Sequence, residues 1–236
     1  LKEQLASAKS KASEQELALK SAKEEVQSLL AEYQTNAKQE EEQKQAYQSQ
    51  QNQLFDRLDS LKNKQAKAQS LENILKNHSN FYAGVKTVLQ EKIRLGGIIG
   101  AVSEHLTFDV RYQTALEIAL GASSQHIIVE DEQAATKAID FLKRNRAGRA
   151  TFLPLTTIKA RSISGQNQDV IASSPGFLGM ADELVTFDAK HEAIFKNLLA
   201  TTAIFDTVEH ARDAARKVRY QVRMVTLDGT ELRTGG

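Results

Sequence analysis

Residues 97–109 read GIIGAVSEHLTFD, and residues 176–188 read GFLGMADELVTFD. Both segments follow the pattern G-x-x-G-x-x-x-E-x-x-T-F-D, with six identities in thirteen positions and a constant offset of 79 residues. An internal repeat of this kind indicates that one structural unit has been duplicated. The last two thirds of the chain are therefore predicted to form two similar lobes related by a pseudo-twofold axis. Paired lobes of this kind suit a joint that self-associates.

The first third of the chain has a different composition. All 12 glycines lie at or after Gly84 and both prolines lie later still, whereas residues 1–83 are rich in Gln, Glu, Lys, Ala and Ser. These residue types tolerate helix well. We place a boundary at residues 80–84 and predict a coiled-coil arm over residues 1–80.

A heptad register supports that arm. Stepping by seven from Leu5 to Tyr82 gives twelve a positions, of which only Glu40 is neither apolar nor aromatic. The d positions are weaker, and those between Asn36 and Gln50 are polar. This pattern predicts a long, partly flexible coiled-coil helix that needs a partner to bury its stripe. The partner is a parallel second copy or a returning segment of the same polypeptide. The alternative is a solvated charged helix with chance periodicity.

The remaining residues alternate between helical and strand patterns. The first lobe, about 81–160, is expected to contain a helix over 112–120, a strand over 126–129, a helix over 132–145 and a strand over 150–155. The second lobe, 176–236, repeats that order at 192–200, 203–205, 208–218 and 223–227. The linker over about 156–175 is rich in Ser, Asn and Gly and is interpreted as a surface loop. The predicted fold class is α/β, with two pseudo-repeated lobes preceded by a long helix.

The overall composition excludes several classes of protein. The net charge is +1, there are no cysteines, and no apolar run approaches the ~18 residues of a membrane span. The missing cysteines exclude disulfides and thiolate metal sites, and they fit a reducing cytoplasm. Because the chain begins at Leu1 and stops at Gly236, we expect a fragment of a longer protein.

Enzyme motifs are also absent from the sequence. There is no G-x-x-x-x-G-K-[ST] phosphate loop and no H-E-x-x-H, and the five histidines form no i, i+4 pair. The fragment is therefore expected to be non-catalytic, with no metal and no cofactor.

Basic residues cluster at the predicted ends of two equivalent helices. The candidates for contact with DNA are Lys143, Arg144, Arg146 and Arg149 in the first lobe, and Arg212, Arg216, Lys217 and Arg219 in the second. One interpretation is a sequence-independent surface for phosphate groups. The other is that cations at a helix C-terminus favour the helix dipole.

Several motifs resemble the hinge domain of bacterial SMC (structural maintenance of chromosomes) proteins. The most specific is GRATFLPL at residues 148–155, supported by GIIGAV at 97–102, ALEIALG at 115–121, PGFLG at 175–179 and VTLDG at 225–229. The resemblance covers roughly residues 81–236 and is only generic over 1–80.

The resemblance implies a mechanical role. The hinge of this family joins two coiled-coil arms by homodimerisation, and the arms lead to ATPase heads that bind ATP and Mg and lie outside this chain. It implies a cytoplasmic, nucleoid-associated protein of chromosome condensation and segregation that entraps DNA. The returning helix would pack on the arm, and kleisin-type subunits would bind the parent protein elsewhere.

The family also carries a glycine pattern, G-x6-G-x3-G-G, at its dimer interface. Gly229 and Gly236 match its first two glycines, and the chain stops before the final pair. Gly229 has a second interpretation, because Asp-Gly is a common hairpin dipeptide. For the whole chain, the alternative function is a parallel coiled-coil homodimer, a scaffold or DNA-binding protein that uses the α/β unit as a partner-binding module.

Overall fold

The structure is a computed structural model and describes residues 2–235. Its contacts divide the chain into two units, one running to Leu71 and the other beginning at Glu72. The first unit is made of a single helix, α1 (Lys2–Asn77), whose last turns belong to the second unit. No residue of α1 is buried, and its heptad stripe, which includes Leu19, Val26 and Leu54, is exposed to solvent.

Lobe one contains three short helices, one long helix and four strands. In chain order these are α2 (Ala83–Gln90), α3 (Lys92–Leu95), β1 (Ile98–Ala101), β2 (Leu106–Thr107), α4 (Gln113–Leu120), β3 (Ile127–Val129), α5 (Glu132–Asn145) and β4 (Phe152–Pro154). The sheet order is β1-β3-β4, with β3 antiparallel to β1 and parallel to β4. The β3-α5-β4 connection is thus a short βαβ unit.

Lobe two repeats this plan and adds an edge strand. Its elements are α6 (Gly165–Ala172), β5 (Phe177–Met180), β6 (Thr186–Phe187), α7 (Glu192–Leu199), β7 (Thr202–Phe205), α8 (Val208–Lys217), β8 (Arg223–Thr226) and β9 (Glu231–Leu232). The sheet order is β5-β7-β8-β9, and the first three strands have the same relative directions as β1, β3 and β4. The predicted duplication is confirmed.

The repeated residues perform the same local task in both lobes. The Glu104 carboxylate accepts the Ala101 N–H at 2.9 Å, and the equivalent Glu183 accepts the Met180 N–H at 3.0 Å. Asp109 then accepts the Arg111 N–H at 2.8 Å and caps the turn before α4. Its counterpart Asp188 does the same before α7. The pattern shared by the two repeats therefore encodes a strand end and a helix start.

Two short strands, one from each repeat, form a ribbon that joins the lobes. Strands β2 and β6 are antiparallel, with Thr107 opposite Thr186 and Leu106 opposite Phe187. Since Thr186 is the repeat equivalent of Thr107, the ribbon lies on the pseudo-twofold axis.

Three apolar cores stabilise the second unit. Each lobe has an outer core beneath its long helix, α5 in lobe one and α8 in lobe two. A third core lies between the lobes and takes residues from both. Its fully buried members include Leu116 and Ile128 from lobe one and Phe195, Ile204 and Val225 from lobe two. The lobes therefore share buried apolar surface as one structure.

The sequence-based prediction of the linker as a loop was wrong in part. Residues 165–172 form helix α6, whose cap, the Ser164 hydroxyl, accepts the Asn167 N–H at 3.3 Å. Ile171 is fully buried in the outer core of lobe two. The Ser-rich composition concealed a helix that is held by one apolar anchor and an N-cap.

Candidate dimerisation and nucleic-acid surfaces

Gly229 occupies the turn between β8 and β9. Its N–H donates to the Thr226 carbonyl at 2.9 Å, and Asp228 accepts the Thr230 N–H at 3.0 Å. The side-chain hydrogen bond from Thr226, together with that N–H, holds the pKa of Asp228 below its usual range. The structure therefore gives Gly229 the hairpin position that its Asp-Gly dipeptide indicates.

The turn also packs on the other lobe. Gly229 has a φ of +89°, and a Cβ there would lie 3.0 Å from the Thr114 Cγ2 atom of α4. A side chain at Gly229 would therefore meet both backbone strain and a close neighbour. The other candidate glycine, Gly236, lies outside the described residues.

An open sheet edge distinguishes lobe one from lobe two. In lobe two, β8 is covered by β9, whereas within residues 2–235 no strand covers the outer edge of the equivalent strand, β4. β4 belongs to the GRATFLPL segment, and its three residues are half-buried. An uncovered edge presents backbone N–H and C=O groups to which another strand can pair.

The first basic cluster lies at the end of α5. Lys143, Arg144, Arg146 and Arg149 are all exposed. Arg146 ends the helix in the left-handed region, with φ +50°. The following residue, Ala147, donates its N–H to the Leu142 carbonyl at 3.0 Å.

The second cluster runs from the middle of α8 to just beyond its end. Arg212, Arg216, Lys217 and Arg219 are exposed, and Arg219 is left-handed like Arg146, with φ +53°. Arg216 forms an ion pair with Asp213 at 3.4 Å. Because α5 and α8 pack on separate outer cores, the eight cations form two clusters, one on each lobe.

Arg223 joins the lobes, and nothing in its sequence context indicated this role. From the start of β8 its guanidinium donates to the Ala119 carbonyl at 2.7 Å and the Ile118 carbonyl at 2.9 Å, both in the last turn of α4. It also donates to Glu231 at 2.7 Å. Burial raises the pKa of Glu231, but the hydrogen bond and charge of Arg223 outweigh this and lower it. A cation at the C-terminus of α4 is favoured by the helix dipole.

Two histidines beside the ribbon were also missed. His191 is 2% exposed, and neither of its ring nitrogens has a hydrogen-bond partner. The His105 ring stands edge-on to it, with centroids 5.2 Å apart. Burial, and then the charges of His105 and Lys190, lower the pKa of His191 against the weaker opposite effect of Asp188. The pair has no counterpart elsewhere in the repeat, where the equivalent residues are Leu184 and Tyr112.

Two further features are absent from the part of the chain that the structure describes. Among residues 2–235, no group of three or more His, Asp or Glu side chains is placed to hold a metal ion. No helix in the same range is both long and apolar enough to cross a lipid bilayer.

The second unit is thus an α/β fold of two repeated lobes, each with a short βαβ unit, joined by a two-stranded ribbon. The family described as "SMC proteins Flexible Hinge Domain" matches residues 95–215, more than half of the chain. The chain therefore belongs to the SMC hinge family, as its motifs indicated.

Relatives and solved structures agree with this assignment. The chain is 40% identical over 213 residues to the "Chromosome partition protein Smc" of Bacillus subtilis (strain 168), covering 90% of this chain but only 18% of that protein. A crystal structure of an asymmetric dimer of the Geobacillus stearothermophilus SMC hinge domain is 43% identical with a TM-score of 0.71, over 73% of this chain and 68% of that one. The Pyrococcus furiosus SMC hinge domain is 30% identical with a TM-score of 0.55, over 69% and 81%.

Proposed function

We propose that this chain is the dimerisation hinge, with part of one arm, of an SMC ATPase that organises chromosomes. Its partner is a second copy of itself. The observation that carries the proposal is the open β4 edge of lobe one, in a fold whose relative from G. stearothermophilus crystallised as a dimer. A strand from the second copy would cover this edge as β9 covers β8.

The glycine-bearing end of lobe two is the proposed source of that contact. Gly229 and Gly236 follow the spacing of the family's interface glycines. This role for the two glycines rests on the family resemblance, since the close packing at the Gly229 turn is against Thr114 of the same chain.

The arm is proposed to pair with a returning helix of the same polypeptide. The exposed stripe of α1 supports this, because a helix of such length gains its stability in water from a partner. ATP and Mg chemistry, and binding of kleisin-type subunits, belong by this proposal to parts of the parent protein outside this chain. The hinge itself would carry no cofactor and no catalytic residue.

The two basic clusters are proposed to contact DNA phosphates without reading sequence. All eight side chains are exposed, and only Arg216 has an ion-pair partner among the described residues. Cations free to meet phosphates release counterions on binding, which gives affinity that falls with salt. Contact through a cluster on each lobe would help the protein to entrap DNA in the cytoplasm and associate with the nucleoid.

The mass of the full chain in solution tests the proposal. Light scattering is expected to give twice the 26.1 kDa of one chain. Thr151→Lys, which adds a charge at the exposed residue just before β4, should weaken the dimer. The matched control Leu54→Lys, in the stripe of α1, should leave it intact.

The reverse pattern would support the alternative function. If Leu54→Lys abolishes the dimer while Thr151→Lys does not, the copies associate through a parallel coiled coil. The hinge proposal would then be wrong for this chain.

A further inference from the structure

A cavity of ≈ 290 Å³ opens on lobe one beside the start of α2. It is lined by Tyr82, Val85, Ala122, Gln125, His126, Arg149, Ala150 and Thr151. The lining contains one guanidinium and no carboxylate, so the cavity suits an anionic ligand.

The walls of this cavity are held in place by the backbone. Gly84 lies so close to Arg149 that a Cβ on Gly84 would be 2.3 Å from the Arg149 carbonyl oxygen. The Tyr82 N–H donates to the Gln125 Oε1 atom at 2.8 Å, which fixes the Gln125 amide. Two sides of the cavity are therefore organised before any ligand binds, which lowers the entropic cost of binding.

The side chains around the opening offer complementary kinds of contact. Tyr82 is 65% exposed, and its ring is a face on which a flat heterocycle can stack. Val85, Ala122 and Ala150 supply apolar surface. The Gln125 amide and the Thr151 hydroxyl can hydrogen-bond to the edge of a ring.

The charge of the opening comes from Arg149. Its guanidinium is exposed and forms no ion pair among the described residues. His126 contributes no second charge, because burial lowers its pKa and favours the neutral ring. A guanidinium presents several N–H donors in a fork that matches phosphate geometry.

We propose that this cavity binds one nucleoside phosphate unit. The base would stack on Tyr82 above the apolar floor, and the phosphate would bind Arg149. The proposal extends the DNA contact assigned to Arg149 under the proposed function. The unit comes either from a free mononucleotide or from an unpaired nucleotide of a strand, and the experiment distinguishes these sources.

The test uses the full chain and ligand-observed saturation-transfer NMR. The probes are thymidine 5′-phosphate, thymidine, a short oligo(dT) strand and a blunt duplex of equal length. Arg149→Gln and Tyr82→Ala remove the two main contacts. Matched controls are Arg161→Gln, an exposed cation outside both the cavity and the two basic clusters, and Tyr47→Ala, an exposed tyrosine of α1.

We expect thymidine 5′-phosphate to bind and Arg149→Gln to weaken it by roughly ten- to a hundredfold, the usual effect of losing a hydrogen bond to a charged group. Tyr82→Ala should weaken it by roughly tenfold. The controls should change it less than about twofold. Thymidine, which lacks the phosphate, should bind more weakly and be insensitive to Arg149→Gln.

The source of the ligand follows from the strand probes. If oligo(dT) binds more tightly than thymidine 5′-phosphate and displaces it, the cavity takes a nucleotide within a strand. If oligo(dT) does not displace thymidine 5′-phosphate, the cavity takes the free mononucleotide. If no mononucleotide binds, or if binding is unchanged in both cavity variants, the inference is wrong. A dimeric chain that binds duplex through Lys143 and Arg144 would in that case leave the proposed function standing.

Discussion

Thr107 lies directly opposite Thr186 in the antiparallel ribbon that joins the two lobes, and each is the repeat equivalent of the other. When a residue pairs with its own repeat equivalent, the pseudo-twofold axis that relates the two lobes passes between them. The duplicated halves therefore meet through the same short segment that identifies the duplication in the sequence.

We expect the buried histidine beside this ribbon to make stability depend on pH. The pKa of His191 in the folded chain is lowered from 6.5, so the unfolded chain takes up a proton more readily. The stability that neutral, buried His191 contributes should be complete above about pH 6.5. The free energy of unfolding should then fall as the pH drops from about 6.5 toward the lowered pKa. Below that pKa, this residue adds no further slope.

Replacing the histidine tests this effect. His191→Tyr introduces the residue found at the equivalent position 112, and urea unfolding from pH 7.5 to 5 should show a flatter dependence than in the wild type. His105→Leu, which copies Leu184, should reduce the slope less because the buried ring remains. An unchanged slope in His191→Tyr would show that other groups govern the acid sensitivity.

Arg223 should contribute strongly to stability because it bonds across the lobes. Arg223→Met removes the hydrogen bonds to the Ile118 and Ala119 carbonyls and leaves Glu231 without its main partner. Its side chain is 30% exposed, so we expect a loss of about 1–3 kcal/mol in urea unfolding. Arg233→Met is the control: this side chain is 79% exposed, bonds the same Glu231, and should cost at most about 0.5 kcal/mol. Equal losses in the two variants would contradict the inter-lobe role.

The two caps of the repeat should be worth similar amounts. Asp109→Ala and Asp188→Ala each remove the acceptor for one backbone N–H at the turn before a helix. Each should lower the free energy of unfolding by about 1 kcal/mol. Asp140→Ala, at an exposed position within α5, should have little effect. If one variant lost much more stability than the other, the repeated aspartate would not have the same capping role in the two lobes.

The basic clusters should determine how DNA affinity responds to salt. Lys143→Gln with Arg144→Gln, and separately Arg216→Gln with Lys217→Gln, remove two cations from one lobe each. Each double variant should weaken duplex binding whatever the DNA sequence. The slope of log affinity against log salt concentration should become less steep by about 0.9 for every phosphate that is no longer neutralised. Fluorescence anisotropy between about 50 and 200 mM salt measures both, with Arg233→Gln as the control outside the clusters. Unchanged slopes would leave these cations with only the helix-dipole role.

Much of the fold could be predicted because its signals are local. The helix over 132–145 was placed at its observed bounds by a spaced apolar face, and the strand around Ile127 followed from a β-branched run. The linker helix was missed because its stabilisation depends on burying Ile171, a tertiary contact that composition does not show.

The site was less predictable because several of its residues come together only through tertiary contacts. The basic clusters are contiguous in sequence and were found, whereas Arg223 is more than a hundred residues from the carbonyls it binds. His191 had no motif around it, and its importance comes from burial against His105. The cavity beside Tyr82 arises where Gly84 and Arg149 meet in space, and no local pattern encodes that contact.

The core shared between the lobes has a consequence for synthesis on the ribosome. Leu116 and Ile128 leave the exit tunnel long before Phe195, Ile204 and Val225, against which they are buried. Until the second lobe emerges, the growing chain carries an apolar surface that nothing covers, and the Thr107–Thr186 pairing must wait for a loop of 79 residues to close. We therefore expect the nascent first lobe to be a stage at which this chain is exposed to misassociation.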